Sequence, residues 1–177
     1  MGSGNPPEAW LRGPLPGVVP LLMPVAHAPL QAREEVERAA AGTTTEQLWQ
    51  RPGTAAPAGY HLRHLAGSLD RLLSYARGEM LSEEQRRALL QESTPGAPAS
   101  ALLSDAVAAI DRALEQIRRT SPDTLLESRE VGRARLPSTV LGLLFHAAEH
   151  TTRHTGQLIT TLKVVRPQRP ATPELER

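Results

Sequence analysis

The strongest constraint on the fold is the helical spacing of Leu, Ala, Ile and Val in four long segments, together with the lack of a convincing strand pattern. Apolar residues that recur at i, i+3, i+4 and i+7 form one apolar stripe along a helix. The expected helices run over about 20–41, 58–78, 100–119 and 139–165, and Ser138 is the expected N-cap of the last one. Four amphipathic helices of this length predict an all-α fold, a single four-helix bundle.

The segments outside these helices set the expected domain boundaries. Residues 1–15 are rich in Gly, Pro and Ser and predict a flexible leader, whereas 166–177 carry Pro among charges and predict a disordered tail. The bundle domain is therefore expected over 16–165. The predicted connections within it are capped polar segments at 43–46 and 82–84 and an irregular crossover at 127–136.

Composition and charge exclude several classes of function. The 20 basic and 19 acidic residues are spread along the chain and give a net charge of +1, so a concentrated basic face for nucleic acid is not expected. The absence of Cys excludes disulfides, thiolate catalysis and Cys-based zinc sites. No run approaches the ~18 apolar residues of a membrane span, and prolines interrupt the apolar run 18–25 that could mimic a signal peptide. We therefore expect a cytoplasmic protein with no nucleic-acid or membrane partner.

Five of the six histidines fall into two helical groups. His146, His150 and His154 follow one another at intervals of four, within an arc of roughly 80° on the last helix, and His61 and His64 lie on the second. Two imidazoles one turn apart can bind a single ion, and a third from another helix leaves open positions for water or substrate. The pattern predicts a divalent metal site for zinc, nickel or iron. Spacing alone does not choose between His61 and His64.

Two stretches resemble the DinB/YfiT-like metalloenzyme family. They are Gly-Tyr-His-Leu-Arg-His-Leu at 59–65 and the segment 150–158, which has the form H-x-x-x-H-x-G-Q-[LI]. The resemblance extends over most of the chain, from the first helix to the end of the last. It implies a bundle with up-down-down-up helix order, in which the metal ligands are His64, His150 and His154.

The same resemblance implies an activity. Relatives include S-transferases and isomerases that use low-molecular-weight thiols, so we expect a thiol S-transferase acting on a small-molecule substrate, with hydrolysis as the second choice. Because the chain has no Cys, the thiol must come from a cofactor or substrate. Many relatives carry a second His where this chain has Arg153, a departure expected to alter the pocket rim. Family members are commonly dimeric, which implies a homodimer.

Several further side chains are candidates to support the ligands or to face the substrate. They are His61, His146, Gln157 and Tyr75, and for each of them ordinary packing is the alternative. No side chain stands out as a general base, so the catalytic group is unknown unless it is a water or thiolate on the metal. Asp70 is expected to point away from the core and to pair with Arg71 or Arg77.

A non-catalytic function is the alternative. A metal-stabilised bundle could serve as a stress-response or dimerisation module, and Ala106, Ala109 and Ala113 could allow a second copy to approach the third helix closely. These alanines could equally fill the bundle interior. A metal with an open position favours the enzyme, and a closed four-ligand site favours the module.

Overall fold

The computed structural model describes residues 6–166, which are mostly helical, with a small two-stranded sheet in addition. The α-helices are α1 (Met23–Ala40), α2 (Thr45–Trp49), α3 (Ala58–Ala76), α4 (Glu83–Leu90), α5 (Ala99–Arg119) and α6 (Val140–Val165), and the strands are β1 (Ser128–Val131) and β2 (Leu136–Thr139). Within residues 6–166, no helix is both long enough and apolar enough to cross a membrane.

The core lies between the four long helices and consists of small aliphatic side chains. Helices α1 and α3 each pack against both α5 and α6, so the four enclose one apolar interior. Full burial of a Leu side chain contributes about 1.5–3 kcal/mol. Eight of the largest fully buried side chains are Leu22, Leu62, Leu65, Leu69, Ile110, Leu144, Leu158 and Leu162.

The small residues of α5 lie inside this core. Ala106, Ala109 and Ala113 are all buried within the single chain. They let α5 approach its neighbours closely, and a second copy cannot contact them. The use of these alanines as a dimer surface is therefore wrong, although the homodimer itself stays a prediction.

The helix ends follow capping and proline rules. Residues 20–22 form a 3-10 turn, and α1 begins at Met23, where Pro24 in the first turn loses no helical hydrogen bond. Thr44 and Ser82 each form a capping box at the predicted polar segments. Helix α6 is capped by Thr139, whose Oγ1 accepts from the Gly142 amide at 3.0 Å. The predicted cap, Ser138, pairs instead with Arg129 in the sheet.

The hairpin corrects the prediction that 127–136 is an irregular crossover and that the chain has no strand. β1 and β2 pair antiparallel from Ser128 opposite Thr139 to Val131 opposite Leu136. None of the strand residues is buried, and the strands read Ser-Arg-Glu-Val and Leu-Pro-Ser-Thr, without the clear alternation of apolar and polar residues that marks a half-buried strand. Arg129 fixes the hairpin to the end of α3, where its Nε donates to the Ala76 carbonyl at 2.9 Å.

Residues ahead of α1 pack on that helix. Ala9 is buried and its amide donates to Gln31 Oε1 at 2.8 Å, while the Arg12 guanidinium binds both carboxylate oxygens of Glu34. These contacts concern the described part of the predicted leader. Its first residues, 1–5, and residues 167–177 of the predicted tail lie outside the described residues, so the domain boundaries stay predictions.

Candidate metal centre

Helices α3 and α6 bring four of the five clustered histidines into contact. His64 Nε2 lies 2.9 Å from His150 Nε2, and His61 Nδ1 lies 3.1 Å from His154 Nδ1. One ring nitrogen from each of His64, His150 and His154 falls in a group whose members all lie within 4.8 Å of one another. The interval of four on α6 thus places two imidazoles opposite α3, as the spacing predicts.

One nitrogen separation within this group already fits a shared cation. Imidazole nitrogens bind zinc at about 2.0–2.1 Å, so two of them on one ion lie about 2.9–3.4 Å apart at angles from right to tetrahedral. The contact between His64 and His150 matches the lower end of this range. The other His150 nitrogen, Nδ1, is buried and has no hydrogen-bond partner within residues 6–166. Three imidazoles whose ring nitrogens gather this closely form a donor set that suits a borderline divalent ion.

Burial keeps His61, His150 and His154 neutral. Desolvation, followed by the charge of His64, lowers the pKa of His61 and of His150 to about 4. The same two causes, in that order, lower the pKa of His154 to about 3. A neutral imidazole has a free lone pair on one nitrogen, so His150 and His154 can bind a metal at neutral pH without first losing a proton.

A carboxylate that the sequence analysis missed holds His64. Glu92 Oε2 lies 2.6 Å from His64 Nδ1, and Glu92 Oε1 accepts from Arg71 Nη1 at 2.7 Å. Glu92 is only 4% exposed, so this is a buried ion pair beside the cluster. It lies in the turn after α4, 28 positions from His64 along the chain, and nothing in its local sequence marks it.

The pairing of Glu92 with Arg71 also corrects the expected partners of Asp70. Neither predicted arginine contacts Asp70, because Arg71 binds Glu92 and Arg77 binds Glu79. Asp70 is exposed, as expected, and its Oδ2 accepts from Gln85 Nε2 at 2.7 Å.

An open cleft borders the cluster on the His154 side. Its volume is about 740 Å³, and its lining is part polar and part apolar. Tyr60, His61, Arg153 and Gln157 are among the residues that line it, together with His154 itself. A small molecule in this cleft would therefore lie next to the imidazoles.

The phenol near the cluster is Tyr60 rather than the predicted candidate Tyr75. The Tyr60 ring stacks on His64, with centroids 5.3 Å apart and planes 15° from parallel. Burial and the nearby charge of Glu92 raise the pKa of Tyr60. Tyr75 is buried in the apolar core. Tyr60 directly precedes His61 in the motif at 59–65, which is the signal that could have identified it.

The remaining predicted residues have different surroundings. His61 contacts His154 and lines the cleft. His146 is exposed, and its ring centroid lies 5.4 Å from that of His150, at the edge of the cluster. Gln157 is exposed on the cleft wall and makes no hydrogen bond to an imidazole within the described part of the chain. His27 is remote, with its Nε2 3.0 Å from the Gly13 carbonyl.

Comparison with known families places this geometry in context. A sequence model of the DinB superfamily matches residues 30–158, which include most of α1 and α6, all of α3 and α5, and the three grouped histidines. The chain belongs to the DinB superfamily. No curated protein matches this DinB chain significantly.

Proposed function

We propose that this DinB protein is a metal-dependent enzyme in which His64, His150 and His154 hold one divalent cation. The observation that carries the proposal is the convergence of these imidazoles from two helices at the edge of an open cleft. A closed structural zinc site has four protein ligands, whereas three leave a position for a reacting molecule. Within residues 6–166, the group that could hold a metal has three members.

The ion would be zinc, nickel or iron, each of which accepts imidazole ligands. When bound, it supplies Lewis-acid activation of a thiol or a water molecule. His150 and His154 would hold it from successive turns of α6, and His61 would accept the Nδ1 proton of His154. Tyr60 and Arg153 face the cleft and would bind and orient the substrate.

The reaction we propose first is transfer of a low-molecular-weight thiol to a small electrophilic substrate. The thiol sulfur forms a bond to an electrophilic carbon, the leaving group takes the bonding electrons, and the thiol proton passes to water. The absence of Cys supports an external thiol. Hydrolysis is the second reaction, with water as the nucleophile in the same cleft.

We further propose the up-down-down-up helix order, a homodimer and a cytoplasmic location. Side-chain contacts support the helix order. His61 contacts His154, and His64 contacts His150, so residue numbers rise along α3 as they fall along α6 and the two helices run antiparallel. The C-terminal ends of α3 and α5 meet where Gln116 donates to the Leu73 carbonyl, and those of α1 and α6 meet where Arg166 donates to the Ala39 carbonyl.

The first test is the metal content of untagged, natively purified protein by mass spectrometry. We expect about one metal per chain in the wild type and loss of metal in His64→Ala and His150→Ala. His146→Ala is the matched control, because this neighbouring histidine is exposed and lies outside the ligand group. Retention of metal in His64→Ala alone would move the third ligand to His61. No metal, and no rise in melting temperature with zinc or nickel, would contradict the metal site.

A second test separates the enzyme from a non-catalytic metal-stabilised module. Low-molecular-weight thiols are added to the Co²⁺-loaded protein, and the charge-transfer absorption band from sulfur to cobalt is followed. The enzyme is expected to bind thiol at the metal and to accelerate alkylation of that thiol by a fluorogenic haloalkyl electrophile. A spectrum that thiols and water-competing anions leave unchanged would favour the module.

A further inference from the structure

The buried pair of Glu92 and Arg71 has a defined relation to His64. A carboxylate can only accept a hydrogen bond, so the 2.6 Å contact requires the proton on His64 Nδ1. When this ring is neutral, its lone pair is then on Nε2, the atom that faces His150 Nε2. The carboxylate therefore selects the tautomer in which His64 directs a free lone pair at the cluster.

We propose that Glu92, itself held by Arg71, is a positioning residue that fixes the orientation and tautomer of His64 for metal binding. The inference rests on the proposed metal site and adds to it a part that lies outside the three histidines. Among residues 6–166, Glu92 supplies the carboxylate hydrogen-bonded to an imidazole of the cluster. A carboxylate or carbonyl behind a ligating imidazole makes the imidazole a stronger and better oriented ligand.

Helix α3 is shaped to receive this pair. His64, Gly67 and Arg71 lie at intervals of three and four, so they share one face of the helix. A Cβ atom at position 67 would lie 2.6 Å from Glu92 Oε1 and 2.7 Å from Arg71 Nη1, closer than such atoms approach one another. Glycine in a helix interior lowers helix propensity. Here it leaves the space that the ion pair occupies.

The turn that carries Glu92 is held by a second arginine. Arg63 Nη1 donates to the carbonyls of Gln91 and Thr94 at 2.5 and 2.6 Å, and its guanidinium lies over the Trp49 ring, 5.2 Å from the centroid. These contacts bind the residues on both sides of Glu92 to α3. The backbone around Glu92 and its carboxylate oxygens are therefore both held in place. A residue that orients a metal ligand must itself be held in this way.

The other two grouped histidines lack a charged partner of this kind. His154 contacts the neutral His61, and His150 Nδ1 has no partner within residues 6–166. Because Arg71 balances the charge of Glu92, the ligands would remain formally neutral. A bound cation would then keep its full charge for activating a substrate.

The test measures Zn²⁺ affinity of the metal-free full-length chain by calorimetry against a competing chelator. Glu92→Gln keeps the size and an acceptor oxygen but loses the charge, and we expect binding about 10-fold weaker. Glu92→Leu also loses the hydrogen bond, and we expect binding about 100-fold weaker. Glu84→Gln, at an exposed position on α4, is the matched control and should bind as the wild type does.

Two further measurements separate positioning from a purely structural role and from failure of the metal site. The first is the melting temperature of each metal-free variant. A lower melting temperature together with a Zn²⁺ affinity within twofold of wild type, in both Glu92 variants, would overturn the proposal.

The second is a ¹⁵N–¹H correlation spectrum of the His64 ring in metal-free protein. If even the wild type takes up no Zn²⁺, the proposed function fails, and this spectrum alone decides the inference. A fixed Nδ1 proton in the wild type that becomes a tautomer mixture in Glu92→Leu supports it, and the same tautomer mixture in both proteins overturns it.

Discussion

The two helices that carry the site differ in composition from the helix across the core. The buried residues of α5 are Leu, Ile and Ala throughout, whereas α3 and α6 bury histidines, serines and threonines among their leucines. Buried polar groups destabilise a fold unless they are hydrogen-bonded. Thr151 and Thr155 meet this requirement within α6, by donating to the carbonyls of Ala147 and Thr151. The apolar helix α5 therefore contributes to stability, whereas α3 and α6 provide the site.

The largest expected effect tests the apolar side of this comparison. Ile110→Ala, at a fully buried position of α5, removes buried methyl groups and leaves a cavity, and should lower the free energy of unfolding by about 2–5 kcal/mol. Urea denaturation measures this loss. At temperatures where the variant is folded, its Zn²⁺ affinity should equal that of the wild type. A fall in affinity with the fold intact would show that the two sides are not separable.

The next effect tests the polar side. Free Zn²⁺ at 100 times its dissociation constant should stabilise the wild type by about 2.7 kcal/mol, because it binds the folded state only. His154→Ala should abolish this gain, and in the absence of metal its stability should change far less than that of Ile110→Ala. Thermal unfolding with and without zinc provides the measurement. A zinc-dependent gain that survives in His154→Ala would remove this histidine from the ligand set.

The smallest effect compares two helical glycines. Gly156→Ala on α6 has no atom within 4 Å of the new Cβ, so it should gain helix propensity and stabilise the metal-free chain by about 0.5–1 kcal/mol. Gly67→Ala displaces the Glu92–Arg71 pair, so it should lose most of that gain and bind Zn²⁺ more weakly than Gly156→Ala does. Chemical denaturation and calorimetry on both variants make the comparison. Equal stabilisation and equal affinity would mean that the pair moves aside without consequence.

The sequence predicts what depends on regular helical spacing. The long helices follow from the spacing of Leu and Ala, and the placing of His150 and His154 on one face of α6 follows from their interval of four. Glu92 cannot be found this way, since its contact with His64 depends on where the turn after α4 packs. The sequence contains one signal that another segment packs closely on α3. It is Gly67, because a glycine inside an apolar helix pattern usually has a packing reason.

The hairpin and the phenol escaped prediction for other reasons. β1 and β2 bury little, and a strand without a buried face has no alternation to detect. Tyr60 and Tyr75 both lie on α3, and their positions on the helix do not reveal which end of it borders the open cleft. Only the packing of α3 against α6 settles that choice.

The position of Trp49 gives the protein a built-in optical reporter. Its ring lies within 3 Å of where a side chain on Gly59 would begin, its Nε1 donates to the Ala97 carbonyl, and Arg63 covers it. The other tryptophan, Trp10, is 62% exposed and remote from this turn. Emission from Trp49 should therefore respond to movement of the segment that carries Glu92, so intrinsic fluorescence tests, without an added label, whether this segment stays fixed when the site is loaded.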